Sequence, residues 1–211
     1  MKVGIIGSGE VGQKLGDGFV ELGHQVKIGS RDPAKLAAWV DRHGKKASAG
    51  TFSDAAQFGD MIALATLWTG TPDAIAKAGE ANFAGKIVID VTNPLDFTSM
   101  PPKLLIGHTD SAGETVQHML PNSKVVKAFN IVGNPHMVHP DFAGGRPTMF
   151  VCGNNDEAKQ KVRDIAFAWG WETVDIGGIE GSRLLEPLAM LWITCYFRSN
   201  SGNHAFKLLR K

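Results

Sequence analysis

The chain has 211 residues, and its 22 lysines and arginines are offset by 21 aspartates and glutamates, so the formal net charge is +1. This near balance gives no electrostatic basis for binding nucleic acid or an anionic membrane surface. Two cysteines, Cys152 and Cys195, are too few for a disulfide framework or a zinc site. Each lies in an apolar segment, which favours a small core side chain over a reactive thiol.

The first elements of the chain form a dinucleotide-binding pattern. Lys2–Ile6 is predicted to be a short buried strand, a helix follows from Val11 to Leu22, and a second strand covers Gln25–Ile28. Between the first strand and the helix lies the sequence G-x-G-x-x-G, whose glycines allow a tight turn, close approach to a pyrophosphate and close helix packing. A glycine turn without a ligand is the alternative, but this context favours binding. The predicted pyrophosphate-binding residues are Gly7, Ser8, Gly9, Glu10, Val11 and Gly12.

The residues after the second strand indicate which dinucleotide binds. A site for NAD usually has an acid about 20 residues beyond the glycines, whereas a site for NADP has an arginine nearby for the 2′-phosphate. Ser30 occupies the expected acidic position, Arg31 follows it, and Lys35 lies one turn into the next helix. Alternatively, Arg31 and Lys35 only decorate a solvated helix start, with Asp32 as its cap and Pro33 in its first turn. That alternative leaves the missing acid unexplained, so we predict NADP(H).

Two further buried strands are predicted, Asp60–Ala65 and Lys86–Val91, the first preceded by a short helix that Ser53 and Asp54 can cap. In an open parallel sheet the ligand lies outside the carboxyl ends of the strands. The residues after these strands are therefore predicted to border the cofactor, and the amide of Asn93 is available to the nicotinamide ribose. These residues are Thr66, Leu67, Trp68, Asn93 and Pro94.

The second half of the chain continues the alternation of strands and helices. A polar loop covers residues 96–110, and the later strands are predicted at residues 124–129, 148–153 and 171–176. Helices are predicted at residues 111–120 and 156–169. This alternation predicts an α/β, Rossmann-type, doubly wound and mainly parallel sheet. Residues 1–178 would form the NADP-binding domain, and residues 179–211 a C-terminal helical extension.

The extension contains a strongly apolar helix whose stripe is predicted to be Leu184, Leu188, Leu191 and Cys195. Leu185, Trp192 and Tyr196 widen this stripe beyond one face. Such a helix must bury its apolar side against the sheet of its own chain or against a second subunit, and we expect a homodimer. The apolar stretch is too short to span a bilayer, and no leader precedes the first strand. We therefore expect a cytoplasmic protein.

The acid–base groups of several dehydrogenase classes are missing from the sequence. Tyr196 is the only tyrosine, and Asn200 occupies the position where short-chain reductases have a lysine. His136 and His139 lie in a proline-flanked loop, but no carboxylate or cysteine cluster accompanies them, so no metal site is predicted. Hydride transfer to a second flat redox ring fits this chemistry, because reduction of a ketone requires a positioned proton donor.

Four motifs together resemble the NADP oxidoreductases that depend on coenzyme F420. They are residues 7–12 (GSGEVG), residues 29–33 (GSRDP) with Lys35, residues 90–95 (DVTNPL) and residues 127–130 (KAFN). The same pattern is similar to the cytosolic NADPH-binding domain of the six-transmembrane ferric reductases, which works with a flavin. The resemblance covers essentially the whole chain.

The resemblance implies reversible hydride transfer between NADP(H) and a small-molecule acceptor with a deazaflavin or flavin ring, either coenzyme F420 or FMN/FAD. It implies that Ser30, Arg31 and Lys35 hold the 2′-phosphate and that Thr66–Trp68 and Asn93–Pro94 border the ribose and nicotinamide. It also places Ala128, Phe129 and Asn130 close to the reacting ring. The alternative is a non-catalytic NADP(H) sensor that docks a protein partner through its apolar C-terminal helix.

Overall fold

The computed structural model describes residues 1–211, and ten strands account for its sheets. Eight of them form one sheet in the order β10-β9-β8-β5-β4-β1-β2-β3, and β6 pairs with β7 in a separate small hairpin. The strands are β1 (Lys2–Ile6), β2 (Gln25–Gly29), β3 (Ala47–Gly50), β4 (Met61–Leu64), β5 (Ile87–Asp90), β6 (Leu95–Asp96), β7 (Lys103–Leu104), β8 (Lys124–Lys127), β9 (Thr148–Gly153) and β10 (Glu172–Asp175).

Seven α-helices cover the sheet, and buried apolar residues gather in two clusters, one of 32 residues and one of 15. The helices are α1 (Glu10–Glu21), α2 (Ala37–His43), α3 (Phe52–Phe58), α4 (Thr71–Ala78), α5 (Ala112–Met119), α6 (Asp156–Ala168) and α7 (Ser182–Ser199). Residues of α1, α2, α6 and α7 enter the larger cluster, whereas residues of α3, α4 and α5 enter the smaller one. The predicted doubly wound α/β fold, Rossmann-type and mainly parallel, is confirmed.

The direction of the last two sheet strands differs from a fully parallel alternation. β9 pairs antiparallel with β8, and β10 then pairs parallel with β9. The connection from β8 to β9 has no α-helix, only a short 3₁₀ turn at Asn134–His136. A parallel neighbour normally needs a helical crossover, so the chain returns in the opposite direction along the edge of β8.

Local sequence signals set most helix starts. Asp32 caps the turn before α2, its Oδ1 accepting from the N–H of Ala34 at 3.2 Å, as predicted. The predicted cap of α3 was two residues late, because Thr51 rather than Ser53 fills that position. Thr51 and Asp54 form a reciprocal capping box, which satisfies two N–H groups at once.

The predicted polar loop at residues 96–110 contains the β6–β7 hairpin and is therefore partly wrong. Leu95 pairs with Leu104 and Asp96 with Lys103. Each strand has only two residues, too short to show the alternation of apolar and polar positions by which strands are recognised in sequence.

The predicted apolar stripe of α7 is not the side that faces the sheet. Leu185 and Ala189 are buried in the larger cluster, whereas Leu184 is 68% exposed, Leu191 is 52% exposed and Cys195 is also exposed. Leu188 of the predicted stripe is partly buried against the same cluster, beside Leu185. The prediction of a core position for Cys195 was wrong. The helix is apolar on most sides, so its sequence gave no polar face to mark the inner one.

Residues after α7 pack against the same domain. The Trp192 ring stacks on His204 with 4.6 Å between ring centroids, and the N–H of Thr148 donates to the carbonyl of Phe206 at 2.8 Å. Pro187 lies inside α7 rather than at its start.

None of the helices, α7 included, combines the length and the apolarity that crossing a bilayer requires.

Candidate functional site

A cleft of about 850 Å³ lies at the carboxyl ends of β1, β2, β4 and β5. The chain builds β2 and β3 on one side of β1 and then returns to build β4 and β5 on the other side. Ligands of open α/β sheets bind at such a change of direction. The cleft residues are Gly7, Ser8, Gly9, Glu10, Val11, Ser30, Arg31, Lys35, Phe52, Ala65, Thr66, Leu67, Trp68, Thr69, Gly70, Asp73, Ala74, Val91, Thr92, Asn93, Leu95, Phe97 and Asn134.

The three motif glycines fit the roles of a pyrophosphate loop. Gly7 has φ = +124°, a conformation closed to other residues, and a Cβ there would collide with the carbonyl oxygen of Ala65. A Cβ on Gly12 would collide with the carbonyl oxygen of Gly7, so only a glycine there allows α1 to pack this closely against the loop. A Cβ on Gly9 would meet no protein atom within 4 Å. Gly9 therefore leaves open the space that a ligand's phosphates need beside the start of α1.

Groups suited to a phosphate lie at the end of β2. The Ser8 hydroxyl donates to Ser30 Oγ at 3.0 Å, and the N–H of Asp32 donates to the same oxygen at 3.1 Å. Both contacts fill the acceptor sites of Ser30 and leave its own proton free to donate. Arg31 and Lys35 are exposed, line the cleft and make no ion pair with any carboxylate. This end of the cleft is therefore cationic and has donors available.

The opposite end of the cleft is mainly apolar. Leu67 is 72% exposed and Phe97 is 53% exposed at its rim, beside Trp68. Thr71 Oγ1 lies 2.7 Å from Thr66 Oγ1 and donates to the carbonyl of Leu67 at 3.1 Å, which fixes the loop after β4. If a 2′-phosphate lies at the cationic end, the nicotinamide falls at this apolar end, across β1.

Comparisons with known proteins agree with this geometry. The model of the family described as NADP oxidoreductase, coenzyme F420-dependent, matches residues 2–94. The structure of a provisionally assigned F420-dependent NADP reductase from Arthrobacter sp. FB24 is 37% identical, covers 100% of both chains and superposes with a TM-score of 0.94. The chain belongs to the F420-dependent NADP oxidoreductase family.

The chain is also similar to two curated proteins. The F420-dependent NADP reductase of Methanocaldococcus jannaschii is 36% identical over 144 residues, which cover 66% of this chain and 63% of that protein. Metalloreductase STEAP3 of Rattus norvegicus is 29% identical over 192 residues. That match covers 90% of this chain but only 37% of the metalloreductase, so the chain spans little more than a third of that relative's length.

Twelve of the seventeen predicted cofactor residues line the cleft, and five lie behind its wall. Those five are Gly12, Pro94, Ala128, Phe129 and Asn130, all of them buried. Ala128–Asn130, which were predicted to lie close to the reacting ring, therefore do not line the cleft directly. Asn93 does line the cleft, but its amide is partly engaged, because Nδ2 donates to the carbonyl of Asn130 at 2.8 Å. The cofactor contacts themselves stay predictions.

Some lining residues were missed in the sequence. Thr92 and Leu95 flank Asn93 and Pro94, so a wider window around the end of β5 would have included them. Phe52, Phe97 and Asn134 carry no such signal, because they come from separate loops that only the folded chain brings to the cleft. Asn134 Nδ2 also donates to the Glu10 carboxylate at 3.2 Å.

A buried charge cluster lies behind the apolar end of the cleft. Lys127 Nζ lies 2.8 Å from Asp90 Oδ2 and 3.0 Å from Glu186 Oε1, and all three side chains are at most 1% exposed. Asp90 Oδ2 accepts no directed hydrogen bond, so its contact with Lys127 is an ion pair. Burial disfavours the charged lysine, but the two carboxylates outweigh it and raise the pKa of Lys127. Burial raises the pKa of Glu186, although Lys127 opposes the shift.

His136 and the cysteines take no part in the cleft. His136 does not line it; Nε2 lies 3.1 Å from Asn203 Oδ1, and the ring packs on Phe142. Cys152 is buried as predicted, and burial raises the pKa of its thiol to about 11, which keeps it protonated at neutral pH. No cluster of three or more histidine, cysteine or carboxylate side chains is arranged to hold a metal ion.

Proposed function

We propose that the protein transfers a hydride between NADP(H) and a flavin-like ring acceptor, with coenzyme F420 as the first candidate and FMN or FAD as the others. In the reducing direction, NADPH, the oxidised acceptor and one proton give NADP⁺ and the reduced acceptor. The hydride carries both electrons from the dihydronicotinamide to the ring, and water supplies the proton. The family and the shape of the cleft support this proposal.

The observation that carries the proposal is the chemistry of the apolar end of the cleft. The lining residues that follow β4 and β5 include no histidine, lysine, tyrosine or cysteine, and their one carboxylate, Asp73 on α4, forms an ion pair with Lys77. Reduction of a carbonyl group would require a proton donor positioned at the reacting oxygen. Transfer between two flat rings requires mainly that they lie face to face, because the rings carry the chemistry themselves.

The chain's own residues supply binding and orientation. The first N–H groups of α1 have no intrahelical partner, and Gly9 provides no capping side chain, so these groups would bind the pyrophosphate. Ser30, Arg31 and Lys35 would hold the 2′-phosphate. Leu67, Trp68 and Phe97 would cover the nicotinamide end and exclude water from the reacting faces.

The test is to mix purified protein with NADPH, and separately with NADH, and to follow the nicotinamide absorbance while coenzyme F420, FMN, FAD and a quinone are added in turn. We expect NADPH to be oxidised with a ring acceptor, and NADH much more slowly. Tight binding of NADPH without turnover by any acceptor would contradict the enzyme proposal and support the sensor alternative.

We also propose that the exposed side of α7 packs against a second copy of the chain. Between Leu184 and Phe197 the only charged residue is Glu186, which is buried, so an uncharged apolar surface remains outside. A surface of this kind can face its own copy across a two-fold axis without unpaired charges. Leu105, which is 53% exposed, extends it past a second cavity of about 800 Å³ beside Leu184.

Sedimentation velocity tests this assembly. We expect the unmodified protein to sediment as a dimer and Leu191→Glu as a monomer, because the substitution places a charge in the middle of the apolar side. Leu209→Glu is the matched control, since Leu209 is 80% exposed outside α7 and should leave the dimer intact. A monomer in the unmodified protein would contradict the proposal.

A further inference from the structure

The segment after β8 turns through a strained residue. Phe129 has φ = +61°, a left-handed conformation that is rare for a bulky side chain. Its ring is fully buried and packs against Trp169 with 5.2 Å between ring centroids, and its N–H points at Met149 Sδ at 3.2 Å. Strain of this kind persists only where the surrounding structure fixes it, and it concentrates at functional sites. The left-handed turn at Phe129 sets the position of the next residue, Asn130.

Asn130 is bound to Asn93 by a reciprocal pair of hydrogen bonds. Asn93 Nδ2 donates to the Asn130 carbonyl at 2.8 Å, and Asn130 Nδ2 donates to Asn93 Oδ1 at 3.0 Å. Asn93 lines the cleft, whereas Asn130 is only 5% exposed and does not. Since an amide has two N–H groups and two acceptor sites, Asn93 keeps one of each for a ligand.

The second N–H of Asn130 reaches the C-terminal helix. Nδ2 donates to the carbonyl of Leu185 on α7 at 3.0 Å, so both of its N–H groups are used. Rotating the amide would place its oxygen against two other oxygens, which fixes the orientation. Oδ1 of Asn130 is left buried without a partner, an arrangement that costs stability. The orientation is held although it leaves this acceptor unsatisfied, which points to a role in the site.

The residue before Asn93 is tied to the same helix through the buried charges. Lys127 Nζ donates to the carbonyl of Thr92 at 2.8 Å, and Asp90 Oδ1 accepts from the N–H and the hydroxyl of Thr92 at 2.9 and 2.7 Å. Lys127 also contacts Glu186 on α7. Two separate connections therefore join the first turns of α7 to the Thr92–Asn93 segment.

We propose that Asn130 is a positioning residue that orients the amide of Asn93 toward the nicotinamide half of the cleft, and that the carbonyl of Leu185 on α7 holds Asn130 in place. The proposal rests on the proposed function for the direction in which the cofactor lies. Asn130 acts through Asn93 and does not touch the cofactor. The helix that packs on the domain thus forms part of the support of the cofactor site.

The test compares two ligands that share the 2′-phosphate. NADPH has a nicotinamide, whereas adenosine 2′,5′-bisphosphate lacks it, and both Kd values are measured by calorimetry on the full chain. In Asn130→Asp both N–H groups are lost without a change in size. We expect the Kd for NADPH to rise about tenfold, the scale of one lost hydrogen bond, with less than a twofold change for adenosine 2′,5′-bisphosphate. The fluorescence of the bound dihydronicotinamide should shift toward that of free NADPH.

A double-mutant cycle and a control separate positioning from general loosening. Asn93→Ala should weaken NADPH binding, and adding Asn130→Ala, which places no charge in the interior, should then change the Kd less than twofold. Asn155→Asp is the matched control, because its oxygen still accepts from the N–H of Ala158 at the start of α6. Equal loss of both ligands in Asn130→Asp, or no loss of either, would overturn the proposal.

The unmodified protein gives a measurement that does not depend on the folding of a variant. The side-chain amide NMR signals of Asn93 and Asn130 should shift together when NADPH is added and stay unchanged with adenosine 2′,5′-bisphosphate. Independent shifts of the two amides would contradict the pairing. These binding results remain interpretable if no acceptor supports turnover, so failure of the positioning role and failure of the proposed reaction are distinguishable.

Discussion

The two ends of the cleft are built in different ways. At the cationic end, Ser8 and Ser30, which hydrogen-bond to each other, are 22 residues apart, and the strand, loop and helix between them form one continuous unit. At the apolar end, Asn93 depends on Asn130, Asn130 on Leu185 that lies 55 residues further on, and the start of α5 on Glu186 that lies 73 or 74 residues away. The first end is a local motif and the second is an assembly of distant segments.

This difference indicates how each end of the cleft should respond to substitutions. Substitutions within the local unit should each remove only a few contacts to the ligand. Substitutions behind the apolar end should act through α7 and therefore change stability together with the shape of the cleft.

Lys127→Met should have the largest effect, because it leaves two buried carboxylates without their cation. Removing one partner of a buried ion pair costs about 3–5 kcal/mol of unfolding free energy. Urea denaturation followed by circular dichroism measures the loss. Lys77→Met is the control, since the Lys77–Asp73 pair is exposed and its loss should be nearly silent. A stable Lys127→Met protein would show that the cluster does not support the apolar end.

The pair Gly7→Ala and Gly9→Ala separates backbone conformation from ligand space. Gly7→Ala should lower the unfolding free energy by about 1–3 kcal/mol, because its φ is left-handed and its methyl group would meet the Ala65 carbonyl. Gly9 has φ = −73° and open space around it, so Gly9→Ala should keep its Tm and lose NADPH affinity. Thermal unfolding and NADPH titration on both variants measure this. Equal Tm losses would contradict the assigned roles.

Arg31→Ala should weaken NADPH binding by roughly 1–3 kcal/mol, the scale of losing a hydrogen bond to a charged group, and leave NADH binding almost unchanged. Calorimetric titration with both cofactors measures the difference. Arg42→Ala removes an exposed arginine near the end of α2, outside the cleft, and should change neither affinity. If Arg31→Ala weakens both cofactors equally, Arg31 does not read the 2′-phosphate.

The smallest effect is expected from acid, through the contact between α5 and α7. The Arg183 guanidinium donates to Glu114 and holds the pKa of that carboxyl below its ordinary value of 4.5. A lowered folded-state pKa contributes stability above pH 4.5, and this contribution disappears as the pH falls through the folded-state pKa. The stability gap between the unmodified protein and Glu114→Gln should therefore shrink in acid. Urea titrations at neutral and acid pH measure the gap, and a constant gap would contradict this linkage.

Particular elements show where sequence reasoning succeeded and where it did not. The first strand, Lys2–Ile6, and the cap at Asp32 were predicted correctly because a short apolar run and an Asp-Pro step act on their nearest neighbours. The sequence left open which side of α7 packs on the sheet, because Leu184 and Leu185 are chemically identical and only the packing decides which one is buried. The reversed direction of β9 was also missed, since strand pairing depends on the length and course of a distant connection.

The sequence by itself determined the fold class, the glycine loop and the Ser30–Arg31–Lys35 cluster, because those features depend on backbone conformation and charge over a few consecutive residues. Only the tertiary structure decided that Asn130 lies behind Asn93 and that Lys127 and Glu186 meet in the interior. The physical reason is that contacts between distant segments follow from how the helices and strands pack. No local preference of Asn130, Lys127 or Glu186 encodes their partners.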